Sequence, residues 1–294
     1  MTRPKEALQF RRAFATPIPY LCSVKTPNRY FLELAFDGRA YHGWQVQPNA
    51  TTVQAALDQA LSTLLRHPIN TVGCGRTDTG VHATQLYAHF DVPGATPPPA
   101  SQHLASLHPA PQHPALLLNP DTFLYRLNSL LPHDIAVKRL IPVSDDAHAR
   151  FDATRRSYQY HVHFHKDPFL YGRSWQLRHI PDVDAMNTAA ALLLPYEDFS
   201  CFSKSRTQVH TNLCHIMRAE WVWADDRRLI FHITANRFLR NMVRAIVGTL
   251  LEVGRGDHSP EYLHTVIQSK DRSVAGVSVP PDGLYLTEVV YPYI

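Results

Sequence analysis

The chain has 294 residues, 45% of them hydrophobic and 18% charged, with a formal net charge of +4, which fits a soluble globular protein of one large or two ordinary domains. No apolar run approaches the roughly 18 residues of a membrane span, and the N-terminus lacks a continuous apolar leader, so membrane insertion and secretion are not expected. The four cysteines, Cys22, Cys74, Cys201 and Cys214, are widely spaced and form no Cys-x-x-Cys pair, which argues against a zinc site or disulfide framework and for a reducing, cytoplasmic setting.

Residues 1–28 carry Arg3, Lys5, Arg11, Arg12 and Lys25 against Glu6 alone, and read as a basic, flexible N-terminal arm. Tyr30 to Phe36 reads as a strand ending at the turn signal Asp37-Gly38. The aromatic stretch Tyr41-His42-Gly43-Trp44-Gln45 follows; its rings suit base stacking or the protein's own core. Helical spacing of Val53, Ala56, Leu57, Ala60, Leu61, Leu64 and Leu65 predicts a helix, with Thr51-x-x-Gln54 matching a capping box. A strand is expected from about Leu86 to Val92.

Between these two elements lies Gly73-Cys74-Gly75-Arg76-Thr77-Asp78-Thr79-Gly80-Val81-His82-Ala83. Three glycines bracket one carboxylate, which suits a tight loop that presents Asp78 at the entrance to a sheet. A guanidinium two positions away favours the charged carboxylate, the form needed for a nucleophile or electrostatic stabiliser. An Asx-turn with a surface ion pair satisfies the same spacing.

The proline-rich segment 94–120 reads as an inserted surface loop. Phe123 to Leu131 then predicts a short helix, and Ile135 to Pro142 a strand. In Ala149-Arg150-Phe151-Asp152-Ala153-Thr154-Arg155-Arg156-Ser157-Tyr158-Gln159-Tyr160, arginines interleave with aromatics, which suits phosphate contact with base stacking. Strand alternation puts His161, His163 and His165 on one face, a pattern open to a metal but lacking the acidic partners that orient metal-bound imidazoles.

Asp182 to Leu194 predicts a capped helix. Ser200 to Asn212, with Lys204 and Arg206, predicts a polar loop. His215 to Trp223 and Leu229 to Ala235 predict a hairpin. A helix is expected over Phe238 to Leu250, placing Arg237, Arg240 and Arg244 on one side, either as a solvated basic stripe or with at least Arg244 turned into a partly buried site. Ser259-Pro260-Glu261 predicts the N-cap and first turn of a last helix, and Gly283 to Val290 a closing strand. The alternation of strands and helices fits an α+β fold of two similar halves, 29–143 and 144–294, on a common sheet.

Taken in order, several segments together resemble the tRNA pseudouridine synthase A family. These are Phe36-Asp37-Gly38, Tyr41-His42-Gly43-Trp44-Gln45, Gly75-Arg76-Thr77-Asp78-x-Gly80-Val81-His82-Ala83, Asn128-x-x-Leu131-Pro132, Ala149-Arg150-Phe151 with Tyr158-x-Tyr160, Phe238-x-x-x-Met242-Val243-Arg244-x-x-Val247-Gly248 and Gly283-Leu284-x-Leu286. The match runs from Tyr30 onward. It departs from the family at Thr79, where alanine is common, and in the length of the 94–120 insertion.

The resemblance implies the pseudouridine synthase fold, a mixed, largely antiparallel sheet flanked by helices. It implies a homodimer with tRNA spanning both subunits, and isomerisation of uridine to pseudouridine at positions 38, 39 and 40 of the anticodon stem-loop. No metal and no cofactor are implied. Asp78 would be the catalytic carboxylate, Arg244 its ion-pair partner, Arg76 a phosphate contact, and Tyr158 the aromatic under the flipped uracil. A non-catalytic tRNA-binding chaperone is the alternative, which would not require Asp78. Asp78-Thr79-Gly80 is also an aspartic protease signature, but that chemistry needs two such aspartates sharing a proton and this chain has one copy.

Overall fold

The computed structural model describes residues 28–92, 117, 119–204 and 211–294. The expected basic arm with Cys22, most of the proline-rich insertion and Arg206 lie outside the described residues.

β1 (Arg29–Phe36) leads to α1 (Val53–Leu65), whose buried Val53, Leu57, Leu61 and Leu65 lie at helical spacing. Its N-cap is Thr52, with Oγ1 accepting from the N–H of Ala55, rather than the expected Thr51. The partner envisaged for a capping box, Gln54, instead donates to the carbonyl of Thr71 and accepts from the N–H of Val46, which ties the helix start to both flanking segments. The two-residue β2 (Val72–Gly73) precedes β3 (His82–Asp91), which starts immediately after the Asp78 loop, earlier than expected. α2 (Pro120–Leu130) and β4 (Ile135–Val143) complete this region.

β5 (Arg155–His163) and β6 (Trp175–Gln176) open the second region. α3 (Val183–Ala191) is capped by Asp182, as its sequence indicates. β7 (Ile216–Trp223) and β8 (Arg228–Ala235) form the expected hairpin. α4 (Met242–Gly254) and α5 (Tyr262–Ser269) follow, and β9 (Leu284–Val290) ends the fold. α4 starts later than predicted, because Asn241 takes a left-handed conformation (φ 67°) that no helix can continue through. Arg237 and Arg240 therefore precede the helix. α5 likewise starts at Tyr262, with Glu261 rather than Ser259 at its cap.

The described strands form one mixed sheet in the order β4-β1-β3-β9-β5-β8-β7, with β2 on β3 and β6 on β5. Only β3–β9 and β5–β6 are parallel. The last strand of the chain thus sits at the centre of the sheet. It meets β3 over His82–Tyr285 and Ala83–Leu286, directly beyond the Asp78 loop.

The buried side chains form two clusters. One joins α1 and α2 to β1 and β3, with Leu57, Leu61, Phe123 and Leu127 against Leu32, Leu34, Leu86 and Phe90. The other joins α3, α4 and α5 to β5, β7 and β8, with Met186, Ile246, Leu250 and Val266 against Tyr160, Phe231 and Ile233. Each fully buried side chain of this size contributes about 1.5–3 kcal/mol. Tyr158 packs against both clusters, so it marks the seam between the two groups of helices.

Candidate active site

The Asp78 loop is shaped by backbone contacts to the segment after β1. The Trp44 N–H donates to the carbonyl of Thr77 (3.3 Å), and the Gly80 N–H donates to that of Tyr41 (3.2 Å). Within the loop the Val81 N–H donates to the carbonyl of Asp78 at 3.2 Å, closing a tight turn in which Gly80 has φ 79°. Gly43 (φ 87°) lets the backbone pass against the Thr77 carbonyl, where a Cβ would collide. The aromatics of this segment are core residues: Trp44 and Tyr41 are buried, and the Tyr41 hydroxyl donates to Asp134.

This frame leaves the Asp78 side chain 29% exposed between two guanidiniums. Arg244 Nη1 lies 3.8 Å from Oδ2, and Arg240 Nε lies 3.7 Å from Oδ1. Arg244, on the first turn of α4, is 19% exposed, and its Nε donates to the carbonyl of Val279 at 2.7 Å. The approach of that segment depends on Gly248, one turn further along α4, where a Cβ would strike the carbonyl of Val277. Anchored in this way, Arg244 sets a fixed positive charge beside the carboxylate.

Tyr158 projects from β5 with Phe238 edge-on to its ring at 5.1 Å. Burial pushes its hydroxyl well above the usual tyrosine range; the nearby Cys74 and Asp78 add to the rise and Arg156 opposes it. The phenol is therefore neutral at ordinary pH and offers an apolar face. Of the four sequence-identified residues, the fold thus brings Asp78, Tyr158 and Arg244 together at the seam.

Comparison with known proteins identifies the family. A family model described as tRNA pseudouridine synthase matches residues 189–292, a span that includes Arg244. The chain is 48% identical over 265 residues to tRNA pseudouridine synthase A of Porphyromonas gingivalis, covering 90% of this chain and 97% of that protein. The corresponding protein of Bacteroides fragilis is 46% identical over 265 residues, with the same coverage. That of Coxiella burnetii is 38% identical over 267 residues, 90% of this chain and 93% of the relative. The chain belongs to the tRNA pseudouridine synthase family. Its helix-flanked mixed sheet is the pseudouridine synthase fold that the sequence led us to expect.

In this family member the fourth residue, Arg76, does not pair with Asp78. It is exposed and its Nε donates to Gln45 Oε1 at 3.2 Å, so Asp78 takes its cations from residues distant in sequence instead. The arginines before Tyr158 have partners within the protein. Arg155 faces Glu288 at 3.5 Å, and Arg150 lies over the Phe151 ring. Arg156 donates to the carbonyls of Cys74, Arg150, Ala153 and Asn236, which spends its guanidinium on the fold.

The histidine face of β5 is likewise structural. His163 is hydrogen-bonded with Ser174, His161 with Gln159 and packed at a tilt against Tyr285, and His165 lies beyond the strand. Among the described residues no group of three or more His, Cys, Asp or Glu side chains could hold a metal. None of their helices is long and apolar enough to cross a membrane. A hollow of about 530 Å³ opens beside Ser157, Tyr158, Gln159, Arg218 and His232, but neither Asp78 nor Arg244 lines it.

Two contributors escaped the sequence reading. Arg240 was visible only as one of three basic residues, and its approach to Asp78 depends on the turn before α4. His82 carries no catalytic signal, yet it joins three segments. The Gly38 N–H donates to its Nδ1 (3.1 Å), so Nε2 carries the proton and donates to the carbonyl of Gly172 (3.1 Å). Burial lowers its pKa, which keeps that neutral tautomer.

Proposed function

We propose that this chain isomerises uridine to pseudouridine in the anticodon stem-loop of tRNA, at the positions implied by the resemblance, with Asp78 as the catalytic carboxylate. The observation that carries this reading is the convergence of Asp78, Arg244 and Tyr158 at the seam, in a chain similar over nine-tenths of its length to tRNA pseudouridine synthases.

The reaction breaks the N1–C1′ bond, turns the uracil and forms a C5–C1′ bond. C5 loses a proton and N1 gains one, so the product is an isomer and no redox partner is consumed. A base inside a stem must leave the stack to be reached, and Tyr158 supplies a flat apolar ring for it to lie on. Asp78 then acts on the nucleotide as nucleophile or as the charge that assists base loss, with Arg244 holding it in place. Arg76, exposed on the same loop, holds a phosphate of the flipped nucleotide. The enzyme acts in the cytoplasm as a homodimer, one tRNA touching both subunits, each subunit made of the halves 29–143 and 144–294.

The test is tritium release from tRNA labelled at uracil C5. Asp78→Ala is expected to abolish release while leaving tRNA binding intact. Full turnover by that variant would refute the assignment. Wild-type protein that binds tRNA but releases no tritium and leaves no pseudouridine would favour a chaperone.

A further inference from the structure

The two guanidiniums beside Asp78 are held in different ways. Arg244 is fixed: its Nε is committed to the Val279 carbonyl, its own carbonyl accepts from the Val279 N–H at 3.2 Å, and neighbours cover most of it. Arg240 has a fixed backbone and a loose side chain. Its carbonyl accepts from the Lys204 N–H (3.2 Å), and the next residue, Asn241, donates from Nδ2 to Ser278 Oγ (2.6 Å). Its guanidinium is 61% exposed, and the 3.7 Å contact with Asp78 is its only polar contact among the described residues.

That contact is longer than a hydrogen bond and open to solvent, so it holds the side chain weakly. Asp78 also has a second cation in Arg244. A nucleotide extruded into this site must bring its flanking backbone phosphates to the rim where Arg240 lies. A phosphate offers a guanidinium two parallel hydrogen bonds, which a carboxylate at 3.7 Å does not supply.

We propose that Arg240 is an exchangeable cation. In the free protein it rests on Oδ1 of Asp78; when RNA enters, it transfers to a phosphate flanking the extruded uridine. Asp78 is then left with Arg244 alone, so the same motion that grips the substrate uncovers one carboxylate oxygen. This rests on the functional reading above and adds to it a residue that couples RNA binding to the exposure of the catalytic group.

The experiment uses the full-length protein, wild type, Arg240→Gln and Arg240→Lys, with an anticodon stem-loop RNA carrying C5-tritiated uridine. A matched pair of RNAs carries a neutral methylphosphonate at the phosphate 5′ or 3′ of the target. Arg240→Gln is expected to raise KM and Kd about tenfold, with the loss falling on KM rather than kcat, and to flatten the slope of log Kd against log salt by about 0.7. Arg240→Lys should recover the salt slope but only part of the affinity. One methylphosphonate should weaken wild type about tenfold and leave Arg240→Gln no weaker than it already is, the non-additivity expected of a direct contact.

The proposal is overturned if both methylphosphonates affect wild type and Arg240→Gln equally, or if Arg240→Gln lowers kcat with KM and salt slope unchanged. The latter result would make Arg240 a partner of Asp78 only. If wild type binds the RNA but releases no tritium, the functional reading fails, and the binding cycle still decides whether Arg240 holds a phosphate.

Discussion

Arg156 donates from Nη2 to the carbonyl of Cys74 at 3.0 Å, tying the sheet floor beside Tyr158 to the loop that carries Asp78. Its other bonds reach Arg150 (2.7 Å), Asn236 (3.0 Å) and Ala153 (3.1 Å). One planar side chain therefore joins both walls of the site.

Arg156→Ala leaves those four carbonyls without this donor, and the expected loss of stability is about 2–3 kcal/mol, with water recovering part of the bonding. Arg156→Lys should recover little, because an ammonium cannot spread across four separated acceptors. Denaturant unfolding measures the loss. Unchanged stability with weakened RNA binding would instead make Arg156 a phosphate contact.

Tyr158 separates stacking from proton transfer. Tyr158→Phe retains the ring, whereas Tyr158→Ala removes it and should lower kcat/KM about 5- to 150-fold, the effect of losing roughly 1–3 kcal/mol of base stacking. Because burial raises the hydroxyl above the ordinary tyrosine value of about 10, the phenol stays neutral through the working range. The pH profile of Tyr158→Phe should overlay that of wild type between about pH 7 and 9. A lost limb in that profile would assign the hydroxyl a proton-transfer role.

Stability should fall on the acid side through the buried His89 and the half-buried His161. His89 is 4% exposed and its Nδ1 accepts from the Ala149 N–H; burial, with Arg29 and His148 nearby, lowers its pKa from 6.5 to about 4, against the opposing pull of Asp91 and Asp152. Burial, helped by His232, Arg228 and His82, takes His161 to about 4 as well. Between about pH 6.5 and 4 the unfolded chain binds protons that the fold refuses, so stability is complete above 6.5 and is lost as the pH falls. For His89 alone the loss approaches about 3 kcal/mol. Urea unfolding at about pH 7 and 4.5 measures it, and His89→Asn, which keeps an acceptor near the Nδ1 position, should flatten the dependence.

Local patterns were readable because local physics sets them. The mostly apolar run Tyr30 to Phe36 and the glycines around Asp78 act within a few residues, and both segments take the forms their sequences suggest. The cations around Asp78 were only half legible, because which arginine arrives depends on packing between distant segments. The left-handed Asn241 takes Arg240 off the helix, and four backbone carbonyls claim Arg156. Adjacent Thr51 and Thr52 offer equivalent caps by composition, and the turn geometry chose Thr52.

Gly248 offers a test in which the usual sign is reversed. Replacing a mid-helix glycine with alanine ordinarily stabilises a protein by about 0.5–1 kcal/mol. Here the new methyl group would collide with the Val277 carbonyl, and backbone cannot swing aside as a flexible side chain can. The displaced segment includes Val279, whose carbonyl and N–H orient Arg244. Gly248→Ala should therefore lower stability by more than about 1 kcal/mol and also reduce kcat, because Arg244 loses its anchor and Asp78 its fixed cation. A variant as stable and active as wild type would show that the 277–279 segment can shift without carrying Arg244 with it, and would remove the link between helix packing and the catalytic carboxylate.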